Sequence, residues 1–311
     1  MRRDSGARGA GKRRDGLGWA DGFITVDWGT TNRRAYLLDA NGRTVDEFED
    51  VQGILSVPSG RFPEEVEEVR ARLGDRPMLL GGMVGSNRGW AEAAYVSAPA
   101  SLDDLTRGLL WMEPGRVAII PGVCWSAADA ADVMRGEETQ LLGATAEAMI
   151  APDALVCHPG THNKWARMEG GRIAAFRTIM TGELFSLLRK HSILADFMAD
   201  AADVPHAFEA GVRRGLESDE LTAELFSIRA RVLLGRSPRE DAASYASGLL
   251  IGTDMRIGLR SGQAGDVVVM GRPELTRLYA AAVRIAGRDA LEVDGEAAFL
   301  AGARAIARSL G

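Results

Sequence analysis

The chain has 311 residues, 46% of them hydrophobic and 26% charged, with a net charge of −6. That length favours two domains over one core, and the composition is that of an ordinary globular protein, which excludes fibrous and low-complexity chains. Six basic and two acidic residues fall within the first twenty, so the remainder is more acidic than the total implies, which argues against a nucleic-acid-binding face on the folded body.

Residues 1–20, MRRDSGARGAGKRRDGLGWA, are poor in apolar side chains and are expected to form a disordered tail. The segment lacks the apolar stretch of a secretory signal. No apolar run reaches the ~18–20 residues a membrane span needs. Cys124 and Cys157 form neither a CxxC pair nor a disulfide framework, so the expected setting is a reducing cytoplasm, with no membrane partner. GFITVDW then reads as a strand, RRAYLLD as a second after a polar tip, and RTVDEFED as a third after the Asn41–Gly42 turn. Three strands joined this tightly make an antiparallel meander. A helix is predicted from about Pro63 to Leu73, where Val66, Val69 and Leu73 recur at helical spacing. PMLLGGMVG and RVAIIPGV read as buried strands, and EETQLLGATAEAMI as a helix ending before Pro152.

At residue 154 the scheme restarts: an apolar strand, a Gly160–Thr161 tip, a second strand, the Gly170–Gly171 turn and a third strand. A long helical stretch follows from Leu184 to Leu259, interrupted near LGRSPRED. DVVVMG is a buried strand, followed by a helix through Ile285 and a closing helix. The two halves share a pattern with little residue identity, which points to an internal duplication of one supersecondary unit.

Three glycine tips punctuate this pattern: Asp27–Asn32, Gly160–Lys164 and Met270–Pro273. An ordinary hairpin turn needs only a glycine and one Asn or Asp. The first tip also carries Asp27, Thr30 and Thr31. Backbone N–H groups at glycine turns approach anions closely, and hydroxyls add donors. Two such hairpins facing each other would grip a polyphosphate. Asp27 would then hold the accompanying Mg²⁺, because a bare carboxylate would repel phosphates.

These features together resemble the sugar kinase, Hsp70 and actin superfamily. FITVDWGTTNRRAYL is similar to its first phosphate motif, LVCHPGTHNKW to its second, and VVVMGRPELTRLYAAAV to its adenosine motif. GGMVGSNRGW, DVMRGEETQLLGA, PGTHNKW and FRTIMTGEL resemble, more narrowly, the 2-dehydro-3-deoxygalactonokinase family, from Phe23 to Leu310. The resemblance implies an α/β fold of two duplicated ribonuclease H-like domains around a central nucleotide cleft, the actin-like ATPase fold. Residues 21–152 would form the first domain, closed by a C-terminal helix at 296–311, and 153–295 the second, with a helical insertion. It further implies ATP and Mg²⁺, and transfer of the γ-phosphate to the 6-hydroxyl of 2-dehydro-3-deoxy-D-galactonate. It leaves a homodimer open.

The site residues expected on this reading are these. Gly29, Thr30, Thr31, Asn32, Gly160, Thr161 and Gly271 would hold the nucleotide, and Asp27 the metal. Phosphoryl transfer to an alcohol also needs a carboxylate beside the hydroxyl. Glu137 is preferred, with Glu138 as its rival. Lys164, one of three lysines among 37 basic residues, would neutralise the transferring phosphate. Asn87, Arg88, Trp90 and Glu183 are candidates for contacting the sugar acid, and Arg34, Arg135 and Arg177 for its carboxylate.

Overall fold

In the computed structural model, residues 18–199, 203, 205–261 and 264–311 are described. The expected tail therefore lies mostly outside the described residues. Its last residues correct the expectation. Trp19–Asp21 form a 3-10 turn, and the Trp19 ring packs on Phe23 and Trp111 at centroid distances of 6.0 and 6.1 Å. Trp19 Nε1 also donates to the Gly115 carbonyl at 3.1 Å. One large aromatic side chain at the end of a polar stretch has found an apolar seat, so the folded body includes Trp19.

Gly22–Trp28 (β1), Arg33–Asp39 (β2) and Thr44–Asp50 (β3) form the expected meander. Phe62–Leu73 (α1) returns the chain, and Met78–Gly82 (β4) then runs parallel to β1. After Val96–Ser97 (β5) and Leu102–Arg107 (α2), Leu110–Glu113 (β6) and Val117–Ile119 (β7) complete a six-stranded sheet of order β3-β2-β1-β4-β7-β6. Val123–Ala127 (β8) and Ala130–Met134 (β9) form a hairpin that joins β5 in a small three-stranded sheet. This hairpin was absent from the sequence reading, since its exposed, alanine-rich strands show little alternation. It delivers the chain into Glu137–Ala146 (α3).

The second half repeats the plan. Ala154–His158 (β10), Asn163–Glu169 (β11) and Arg172–Ile179 (β12) are a second meander. The predicted long helical stretch divides into Thr181–His191 (α4), Pro205–Glu217 (α5), Leu221–Leu233 (α6) and Ala242–Gly258 (α7). Val267–Gly271 (β13) pairs parallel to β10, and Ala290–Asp294 (β14) parallel to β13, with Pro273–Ile285 (α8) between them. Gly295–Arg308 (α9) ends the chain. Strand order β12-β11-β10-β13-β14 matches β3-β2-β1-β4-β7 of the first sheet, so the duplication read from pattern is present in topology. None of the described helices is long and apolar enough to cross a membrane.

The largest apolar layer includes residues of both sheets together with α3 and α9. A second cluster joins the first sheet to α1, and a third joins the second sheet to α5, α7 and α8. Sandwiching explains why β1, β4, β10 and β13 read as nearly continuous apolar runs. Helices α3 and α9 touch through backbone: a Cβ on Gly143 would lie 2.2 Å from the Gly302 nitrogen. Helices α5 and α7 are as close, since Cβ atoms on Gly211, Gly215, Gly248 or Gly252 would each meet a partner carbonyl within 2.3 Å.

Candidate active site

The parallel pairings β1–β4 and β10–β13 point the carboxyl ends of β1, β10 and β13 toward one crevice, where open α/β sheets bind ligands. All three glycine tips open on it. Asp27, Thr31, Gly160, Thr161 and Gly271 line one cavity of about 750 Å³. The first tip is a closed hairpin, with Gly29 N–H donating to the Asn32 carbonyl at 2.9 Å. Its carbonyls at Gly29, Thr30 and Thr31 accept from Ile54, Leu55 and Gly53, which pins the tip from behind. The Thr30 and Thr31 side chains remain exposed. Asn32 is committed elsewhere, donating to Glu49 at 3.0 Å. Arg33 anchors the hairpin from inside, fully buried and bonded to Asp50 and Glu65 at 2.7 and 2.9 Å.

Gly160 is informative because nothing in the protein requires it. A Cβ there would meet no atom within 4 Å, and its φ lies outside the left-handed range. The open volume sits where a phosphate gripped by the tip would lie, so the cradle fits the group expected in it. Asp27 stands opposite, at the end of β1, in register with Arg34. Burial pushes its carboxyl above the usual range; Arg34 and Arg272 oppose this, and the charges of Glu137 and Glu296 reinforce it. An acidic neighbourhood of this kind is relieved by a cation. Among the described residues no three His, Cys, Asp or Glu side chains group to hold a metal. Asp27 with phosphate oxygens and water is a donor set that suits Mg²⁺.

Next to the cavity-lining His158, an ion pair is built from both halves. Glu137 opens α3, where a carboxylate is favoured by the helix N-terminus. Its Oε1 lies 3.0 Å from Lys164 Nζ, which reaches across from β11 and also donates to the His162 carbonyl at 3.0 Å. Burial opposes the Glu137 charge, but the Lys164 ammonium outweighs it and holds the carboxyl below its ordinary value. His158 donates from Nε2 to Gln140 at 2.7 Å, and burial lowers its pKa, keeping the ring neutral. Glu138 is different. It is fully buried, accepts from the Gly136 N–H on both oxygens, and is pushed up to about 7, first by burial and then by Glu137. Between the rivals, only Glu137 faces the cleft's lysine.

The remaining candidates divide. Arg135 lies beside this pair: its Nη2 donates to the Ala93 carbonyl at 2.8 Å and its guanidinium rests 4.4 Å from the Tyr95 ring centroid. Its Nε and Nη1 are buried without a partner. Asn87 and Arg88 are exposed on the loop after β4. Trp90 stacks its ring on Phe62 and packs with the cluster outside the first sheet. Arg34 is held with the nucleotide tips and paired with Glu49 at 3.3 Å, away from Arg135. Arg177 lines a separate cavity that none of the tips enters. Glu183, in the first turn of α4, accepts from His162 at 2.5 Å and its N–H donates to the Thr161 carbonyl, so it braces the second tip.

A duplicated pair of α/β units whose glycine hairpins face one another across a cleft defines an actin-like ATPase fold. The activator of a 2-hydroxyisocaproyl-CoA dehydratase from Clostridium difficile, solved with ADPNP, shares that fold, with a TM-score of 0.52 at 12% identity over 93% of this chain and 95% of that one. The family model described as 2-keto-3-deoxy-galactonokinase matches residues 27–306, and the chain belongs to that family of carbohydrate kinases. A 2-dehydro-3-deoxygalactonokinase of Escherichia coli K12 is 38% identical over 293 residues, covering 93% of this chain and 98% of that protein. A crystal structure from Sinorhizobium meliloti, provisionally described as the same enzyme, superposes with a TM-score of 0.86 at 35% identity, covering 92% of this chain and 98% of that one.

The empty space at Gly160 gives a direct test. Gly160→Ala is expected to leave the melting temperature unchanged while raising the KM for ATP about tenfold or more, roughly 1.4 kcal/mol of lost binding. An unchanged KM would show that the tip does not receive phosphate.

Proposed function

We propose that the chain transfers the γ-phosphoryl group of ATP to the 6-hydroxyl of 2-dehydro-3-deoxy-D-galactonate. Family membership supports this reading. Within the site, the observation that carries it is the Glu137–Lys164 pair beside the phosphate tips. Glu137, ionised at neutral pH, accepts the proton of the acceptor hydroxyl. The hydroxyl oxygen bonds to the γ-phosphorus as the bond to the ADP oxygen breaks, and ADP leaves with that electron pair. As Glu137 gains its proton it loses its claim on Lys164, whose ammonium then faces the phosphoryl oxygens. Asp27 would hold Mg²⁺, which when bound neutralises charge on the phosphate oxygens.

The substrate's carboxylate must lie away from the ATP phosphates. Arg135 is the residue we assign to it, since two of its guanidinium nitrogens are buried without partners and a planar guanidinium matches a carboxylate in two-point contact.

Three measurements test this. Glu137→Gln should lower kcat by ~10²–10⁴, the usual contribution of a positioned base, with little change in the KM for ATP. A comparable loss in Glu138→Gln but not in Glu137→Gln would move the role to Glu138.

The pH profile follows from the sign of the shift. A base works ionised, so activity falls as pH drops through its pKa, and Lys164 holds that pKa below 4.5. Lys164→Met removes the largest lowering influence, so the acidic limb of kcat/KM should move to higher pH. A limb that stays in place would separate Lys164 from the base.

The sugar acid should exceed the corresponding neutral hexose by about 10²-fold or more in kcat/KM, in line with the ~2–5 kcal/mol of a buried charged hydrogen-bond partner. Arg135→Met should erase most of that preference. An equally good neutral hexose with the native protein would reject the sugar-acid assignment.

A further inference from the structure

Asp254 lies near the end of α7, fully buried. Every polar partner the structure gives it is neutral. Its Oδ1 accepts from Trp165 Nε1 at 2.6 Å and from Asn163 Nδ2 at 2.9 Å. Its Oδ2 accepts from the same Asn163 nitrogen at 2.9 Å, from Tyr279 OH at 3.3 Å and from Thr181 Oγ1. These donors come from three elements, and each element begins at the cleft. Asn163 and Trp165 open β11, directly after the Gly160–Thr161 tip. Thr181 starts α4, whose Glu183 braces that tip through His162 and the Thr161 carbonyl. Tyr279 belongs to α8, which starts after Gly271.

The post carrying this carboxylate is rigid. Helix α7 is locked against α5 by the four glycines at backbone contact, and Gly258 leaves room only for the Trp165 ring, which a Cβ there would meet at 2.0 Å. Strand alternation then supplies the consequence. Successive side chains on a strand point to opposite faces. Asn163 and Trp165 are bonded to Asp254 on the α7 side, so Lys164 between them must point to the cleft side, where it meets Glu137.

We propose that Asp254 is a positioning residue for phosphoryl transfer: by holding the neighbours of Lys164 on either side, it aims the ammonium at Glu137 and fixes the second tip against α4 and α8. The proposal rests on the catalytic reading of Lys164 given above. Asp254→Asn keeps the shape but replaces one acceptor oxygen with an NH2, which repels the Asn163 amide donor and makes the Thr181 and Tyr279 hydroxyls turn to accept, so the network that holds β11 is weakened.

The test is a double-mutant cycle on the full chain, with melting temperature and both KM values recorded. Asp254→Asn alone should lower kcat by about 10²-fold, as misplacement of a reacting group does, with a much smaller change in the KM for the sugar acid. In a Lys164→Met background the same substitution should change kcat less than about threefold, because contacts acting through one group are not additive. Should Asp254→Asn fail to fold, Thr181→Val removes one hydroxyl donor to the same carboxylate in a side chain of the same shape and should show the same pattern at smaller size. Equal losses of kcat in both backgrounds, or no loss in the native one, overturn the proposal. Native kcat in Lys164→Met alone overturns the reading of Lys164 beneath it as well.

Discussion

The two halves can share a cleft because α3 and α9 lie in the apolar layer between the sheets and approach backbone to backbone. Any side chain at Gly143 or Gly302 would force the helices apart, since each prospective Cβ falls 2.2 Å from a backbone atom of the other helix. Interiors pack at the density of organic crystals, so such a gap is not absorbed locally. Helix α3 also carries Glu137 at its first turn, and α9 starts beside Gly271. The same contact therefore bears on the distance between Glu137 and the Gly271 tip.

Charge in the cleft follows a consistent logic. Three ionisable groups, Asp27, Glu137 and His158, sit where burial works against charge. His158 resolves the conflict by staying neutral and bonding Gln140. Glu137 resolves it by pairing with Lys164. Among the described residues Asp27 forms no such ion pair, and Arg34 and Arg272 only oppose the effect of its burial. That asymmetry gives two chemically similar carboxylates opposite shifts, Glu137 down and Asp27 up. Each is defined by what stands next to it.

The meanders, the three tips and the helix bearing Glu137 were legible because their signals are local: glycine in turns, alternation in strands, acids in a first helical turn. The β8–β9 hairpin was not, because its residues are exposed and share no strong period. Trp90 is legible only as an aromatic beside Asn and Arg; its stacking on Phe62 is a long-range contact that the sequence does not show. Asp254 escaped altogether. Its only sign was an acid within an apolar, glycine-rich helix, and its partners lie 25 to 91 residues away in sequence. Long-range pairing of this kind leaves little trace in a single chain.

Lysine scarcity acquires a meaning once the burial of Lys164 is known. Of the three lysines, this one is only 5% exposed, and it is covered by a carboxylate from the other half of the molecule. Parting the halves would uncover its amine; bringing them together hides it again. With arginine supplying nearly all the remaining positive charge, few other primary amines compete for an amine-selective reagent. The chain's few primary amines thus include one whose reactivity depends on whether this contact between the halves is intact.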